Sequence, residues 1–213
     1  MRILVTGVSG FIGGRLFERL RAEREHEVFG LSRYVAGRIA KGNVLLGDIT
    51  DGDVYRVVVA LQPQIILHLA ALASNEVSND FPVEAMRVNA VGTARMLRAF
   101  RECRDPQCFV LASSSEVYGF EQGLISETSP IRAKNAYAAS KIAAEEVVRA
   151  SGIPYVIIHS FNTYGRAPIN LPKFIVDETI YQALTTDRIL LRDGRPQRAR
   201  LLREDHVDAY VAV

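Results

Sequence analysis

A chain of 213 residues, 48% hydrophobic and 23% charged, is long enough to bury a sizeable core and has the balance of a globular protein of one domain or two lobes. A net charge of +2, with no basic run interleaved with aromatics, argues against nucleic acid. No apolar stretch nears the roughly 18 residues that span a bilayer and no leader-like segment precedes the first strand, so no membrane partner and a cytoplasmic location are expected.

Ile3-Leu4-Val5 is a short apolar run of the kind found in a strand buried on both faces. Gly7, Gly10 and Gly13 follow as G-x-x-G-x-x-G, and Leu16, Phe17 and Leu20 then recur at helical spacing. A strand that turns through glycines into a helix offers backbone N–H groups and a positive dipole end to a pyrophosphate. Gly7, Gly10, Phe11, Ile12 and Gly13 are therefore expected to hold a dinucleotide. The second strand, Glu27 to Leu31, ends in Ser32-Arg33. An acid there would bind a ribose 2′-hydroxyl, whereas an arginine accommodates a 2′-phosphate, so NADP is favoured over NAD.

Val44 to Leu46 reads as a third strand, and Asp48 after it either caps the next helix or accepts from an adenine amine. A helix is expected from Asp51 to Leu61, stopped by Pro63, before a strand from Ile65 to Leu69. Ala70 and Ala71 continue that strand with small residues, which lets a cofactor lie close; His68 reads as a packed core histidine. Val83 to Arg101 is a long helical pattern enclosing Asn89, whose amide needs a partner if buried. Phe109 to Ala112 is a strand ending in Ser113-Ser114-Ser115-Glu116, and Gly123 to Lys134 is a polar loop over the site. A helix from about Asn135 to Ser151, a strand from Pro154 to Ile158, a helix from Leu171 to Leu184, a short strand from Arg188 to Leu191 and a helix starting near Asp205 complete the pattern. Strands alternating with helices imply an α/β fold with a doubly wound parallel sheet, Rossmann-like.

Tyr137 and Lys141 stand four apart on one expected helix and share a face. A phenol with a pKa of about 10 is a poor base at neutral pH, and a neighbouring ammonium together with an oxidised nicotinamide would favour the phenolate. Ser114, at a strand end on the same side of the sheet, is placed to orient a substrate hydroxyl. Cys103 and Cys108 lack metal-type spacing and the four histidines form no i,i+4 pair, so no metal is expected.

With the glycine turn, HLAA, SSSEVYG and YAASK in this order, the chain resembles the extended short-chain dehydrogenase/reductase family of nucleotide-sugar epimerases and dehydratases. The resemblance implies an oxidoreductase acting at sugar C4, with Ser114, Tyr137 and Lys141 as catalytic residues. It places Asp48 and Ile49 near adenine, and Leu69, Ala70, Ala71, Asn89 and Phe161 around the cofactor. Ser74, Ser115, Asn162 and Arg198 would meet a nucleotide-diphosphate sugar, Arg198 through its diphosphate. Glu116, two residues past the serine, matches the acid by which the family's dehydratases remove the C5 proton. Together with Ser115, it points towards the GDP-mannose 4,6-dehydratase and GDP-4-keto-6-deoxymannose reductase branch.

The same resemblance implies a homodimer and two regions. Residues 1–165 would bind the dinucleotide, and 166–213 would begin a substrate-binding lobe largely missing from this chain. Arg200 and Arg203 fall in a nominally buried strand, where cations are costly unless they face solvent or phosphate. The competing readings are a reductase of a smaller carbonyl compound and a non-catalytic NADP-binding module.

Overall fold

The computed structural model describes residues 1–34, 43–120, 123–165, 175–191 and 197–213. They form two compact units, Met1–Ser160 and Phe161–Val213.

The first unit is built on β1 (Arg2–Thr6), β2 (Glu27–Ser32), β3 (Val44–Leu46), β4 (Ile65–His68), β5 (Cys108–Ala112) and β6 (Tyr155–Ile158). All pair in parallel, in the order β3-β2-β1-β4-β5-β6. The order reverses between β1 and β4, which opens a crevice at the carboxyl ends of these strands. Ile3, Leu4 and Val5 are buried because helices cover both faces of the sheet. Leu4, Leu31, Ile66, Phe100 and Phe109 lie in the main core cluster.

The helices are α1 (Phe11–Glu23), α2 (Asp53–Leu61), α3 (Asn75–Asp80), α4 (Pro82–Met86), α5 (Gly92–Arg101) and α6 (Ala136–Arg149). The long pattern expected over Val83–Arg101 is not one regular helix. A π turn at Arg87–Val91 joins α4 to α5 and carries Asn89 inward, where it is 2% exposed. Asp48 does not cap α2, whose N-cap is Gly52; it folds a turn by accepting from Thr50 N at 2.8 Å and Thr50 Oγ1 at 2.7 Å. Asn135 does cap α6, through Oδ1 to Ala138 N at 2.7 Å.

The second unit contains β7 (Asn162–Tyr164), α7 (Ile175–Thr185), β8 (Arg200–Leu202) and α8 (Arg203–Val211), with β7 and β8 parallel. The helix expected from Leu171 thus begins outside the described residues. Arg188–Leu191 forms no strand. The Gln182 side chain occupies the Leu190 backbone instead, with Leu190 N 2.6 Å from Oε1. Among the described residues the strand of this region is β8, where Arg200 is exposed; Arg203 opens α8 instead and pairs with Glu204 at 2.7 Å, so neither cation is buried alone. Among the described residues no helix is long and apolar enough to cross a membrane.

Candidate active site

At the crevice between β1 and β4, Gly7 lets the turn after β1 approach the segment after β4 closely. Its φ is +75°, and a Cβ there would stand 2.8 Å from Ala70 N and from the Leu69 carbonyl carbon. A Cβ on Gly13 would collide with the Gly7 carbonyl. These two glycines therefore let backbone approach backbone closely. Gly10 is the N-cap of α1; no side chain caps this helix and its first turn carries no acid, the condition in which a helix start suits a phosphate.

Behind this turn runs a buried hydrogen-bonded chain. Ala70 N donates to Thr6 Oγ1 at 3.0 Å, and Thr6 Oγ1 lies 2.9 Å from His68 Nδ1. His68 Nε2 lies 3.1 Å from Thr93 Oγ1, which donates to the Asn89 carbonyl at 2.6 Å. With its proton committed to Asn89, Thr93 can only accept from the ring, so His68 carries its hydrogen on Nε2 and accepts from Thr6 at Nδ1. Burial and the Lys141 charge hold His68 neutral, its pKa down to about 3. Asn89 extends the chain: Oδ1 accepts from Leu72 N at 2.8 Å, and Nδ2 donates to Leu72 O at 3.1 Å and Ser140 Oγ at 2.8 Å.

At the end of β2, Ser32 is buried and Arg33 is exposed. Burial pushes the Asp48 carboxyl up, but the Thr50 hydrogen bonds and the cations Arg33 and Arg87 outweigh it and hold it below the usual carboxylate range. Ile49 is committed to the core and packs on Gly92, so any adenine contact from it falls to the backbone.

The residue types expected to carry chemistry meet at the end of β5. Tyr137 and Lys141 are 8% and 4% exposed, and the Ser114 side chain acts on the Tyr137 hydroxyl, favouring its ionised form. Lys141 Nζ donates to the Ala112 carbonyl at 2.7 Å, which ties α6 to the strand carrying Ser114. Ser114 also starts a short 3-10 turn, Ser115–Tyr118, by accepting from Glu116 N at 3.2 Å. Glu116 is held by Lys134 Nζ at 3.0 Å and Asn135 Nδ2 at 3.3 Å, the polar loop reaching the site through Lys134. Ser74 caps α3 by accepting from Val77 N at 3.2 Å.

Burial raises the Tyr137 pKa above the ordinary phenol range and Glu116 adds to the rise, against the Ser114 side chain. Burial also lowers Lys141 to about 8, against the pull of Glu145. Desolvation is thus the largest influence on both groups.

In the second unit, Asn162, Tyr164, Ile175, Arg198 and Arg200 line a shallow cleft. Asn162 and Arg198 are exposed and Phe161 is half-buried. Sequence reasoning missed Glu145, which is fully buried one turn beyond Lys141, its partners Ser113 and His159, and Tyr118, which bonds to His159. The one signal available was an acid four residues past the lysine on an otherwise apolar face.

A parallel sheet with a glycine turn at its switch point and a buried Ser-Tyr-Lys cluster at the neighbouring strand end defines a Rossmann-like dinucleotide-binding protein of oxidoreductase type. More specifically, the chain belongs to the NAD-dependent epimerase/dehydratase family, whose model matches residues 3–213. It is 32% identical over 227 residues to a UDP-glucose 4-epimerase of Mycolicibacterium smegmatis, covering 99% of this chain and 72% of that protein. It is 33% identical over 236 residues to a dTDP-glucose 4,6-dehydratase of Xanthomonas campestris pv. campestris, covering 99% and 66%. The crystal structure of UDP-glucuronic acid 4-epimerase from Bacillus cereus, in complex with UDP-glucuronic acid and NAD, superposes with a TM-score of 0.84 at 25% identity, over 100% of this chain and 72% of that one. The chain thus spans about two thirds to three quarters of the length of these relatives.

Proposed function

We propose that this chain carries the cofactor-binding and catalytic part of an enzyme that oxidises a nucleotide-diphosphate sugar at C4, with Tyr137 as the base. The observation that carries this reading is the burial of Ser114, Tyr137 and Lys141 together at the end of β5, where Lys141 Nζ donates to the Ala112 carbonyl one helical turn from Tyr137. A nicotinamide dinucleotide supplies a hydride acceptor when bound, and the uncapped, acid-free start of α1 fits its pyrophosphate. Gly10, Phe11 and Ile12 would hold the phosphates, Asp48 and the Ile49 backbone the adenine, and Ala70, Ala71 and Phe161 the nicotinamide end. Arg33 favours the 2′-phosphate of NADP, because β2 ends in a cation and no acid; NAD remains usable.

Ser114 orients the sugar hydroxyl, and Tyr137 takes its proton. Burial holds the phenol neutral beside Lys141 alone, and the positive charge that an oxidised nicotinamide would supply would favour the phenolate that accepts this proton. Glu116, held by Lys134 and Asn135, then serves as the base that removes the C5 proton. Ser74, Ser115, Asn162 and Arg198 bind the substrate, Arg198 as a bidentate partner for the diphosphate. Exposed Val83, Met86 and Val91 on the α4–α5 segment supply an apolar strip for a two-fold dimer, which light scattering tests.

The deciding assay follows reduced cofactor and product with UDP-glucose, dTDP-glucose and GDP-mannose. Tyr137→Phe is expected to lower turnover by about 10²–10⁴-fold while changing dinucleotide affinity less than about threefold. Unchanged turnover in Tyr137→Phe refutes the proposal.

A further inference from the structure

Beneath Tyr137 and Lys141 lies a second layer of polar side chains that the proposed reaction does not use. Glu145 has no exposed surface. Its Oε1 takes the Ser113 hydroxyl and lies 3.0 Å from His159 Nε2, while its Oε2 accepts from Arg149 at 2.8 Å. His159 Nδ1 in turn lies 2.6 Å from the Tyr118 hydroxyl, with the two rings edge-on at 5.0 Å. Donors from the end of β5, from the segment after β6 and from α6 itself converge on one carboxyl group, an arrangement that favours its ionised form.

The spacing along the strand end is informative. Lys141 holds the carbonyl of Ala112 and Glu145 holds the side chain of Ser113, and the next residue is Ser114. One face of α6 therefore seats the two residues that lead into Ser114, and the two charged groups that do so are one turn apart. We infer that Glu145 is the buried counter-charge that keeps Lys141 protonated and seats the Ala112–Ser114 strand end, a positioning residue for the Tyr137–Lys141 pair.

The electrostatics agree in sign. Glu145 raises the Lys141 pKa against the burial that lowers it. Burial pushes the Glu145 carboxyl up, but hydrogen bonds from His159 and Ser113, the His159 charge and the Arg149 hydrogen bond hold it below the usual glutamate range. The other groups bearing on this layer are His68, which senses Lys141, Glu116 beside Tyr137, Glu127 beside Tyr118, and Glu146, which shares Arg149. Only Glu145 among them is fully buried and negative.

The test is the titration of Lys141, read by NMR on the full chain labelled at lysine Cε and Nζ. The wild-type midpoint is expected near 8, Glu145→Gln should lower it by about one pH unit or more, and Glu145→Asp should restore most of the difference. The wild-type Glu145 carboxyl resonance should also move as Lys141 titrates, because each charge reports the other. An unchanged lysine midpoint in folded Glu145→Gln overturns the inference. If that variant does not fold, a wild-type Glu145 resonance that stays flat through the lysine titration overturns it equally. A kinetic arm rests on the proposed function: the alkaline limb of kcat should fall to lower pH by the same amount in Glu145→Gln. Lack of turnover in the wild type, with the lysine shift intact, refutes the nucleotide-sugar reading and supports the counter-charge.

Discussion

Asn89→Leu isolates the polar joint between the π turn and the segment after β4. The substitution keeps the side-chain bulk but leaves Leu72 N and Leu72 O without their partner and removes the bond to Ser140. Ser140 keeps its own donation to the Tyr137 carbonyl at 2.7 Å, so its loss is small. Each orphaned backbone group costs about 1–3 kcal/mol. Leu72 is half-buried, so water recovers part of this, and the leucine side chain adds apolar burial at a site that is 2% exposed. The net destabilisation is therefore about 2 kcal/mol, a factor of roughly 30 in the folding equilibrium. Urea unfolding followed by circular dichroism should show a lower midpoint with an unchanged slope. Ser140→Ala, which removes a single bond of this joint, should cost about 1 kcal/mol. A folded Asn89→Leu protein within about 0.5 kcal/mol of wild type would refute the assignment of these bonds as the joint.

Three further outcomes follow from the same geometry. Gly13→Ala drives a Cβ into the Gly7 carbonyl, with the Gly7 carbonyl carbon only 2.9 Å away, so it should destabilise the fold by about 2–4 kcal/mol and abolish dinucleotide binding in calorimetry. His68 has a folded pKa of about 3, below its value of 6.5 in the unfolded chain, so stability is complete above pH 6.5 and is lost as pH falls towards 3 at up to about 1.4 kcal/mol per pH unit. Nitrogen NMR should find the Nε2–H tautomer throughout that range, and His68→Gln should flatten the acid limb of stability. Arg33→Asp should weaken NADP at least about tenfold relative to NAD, measured as the ratio of the two dissociation constants.

Glu145 and Asn89 show where reading the chain in one dimension stops. The strands, the glycine turn and the Tyr137–Lys141 spacing are local patterns, set by hydrophobic period and by residues a few positions apart, and they were legible before any coordinates. The resemblance of HLAA, SSSEVYG and YAASK to a known family was legible for the same reason. Arg188–Leu191 misled because an apolar run of strand length has no strand partner, its backbone being taken by the Gln182 side chain.

Sequence alone thus determined the doubly wound sheet and which residue types face the crevice, because periodicity and turn chemistry act at short range. Tertiary structure decided what those residues are worth there. Burial lifted the Tyr137 phenol and lowered Lys141, Gly7 and Gly13 went to backbone contact, and Glu145 met Ser113 and His159 from distant strands, since desolvation and charge pairing depend on neighbours in space.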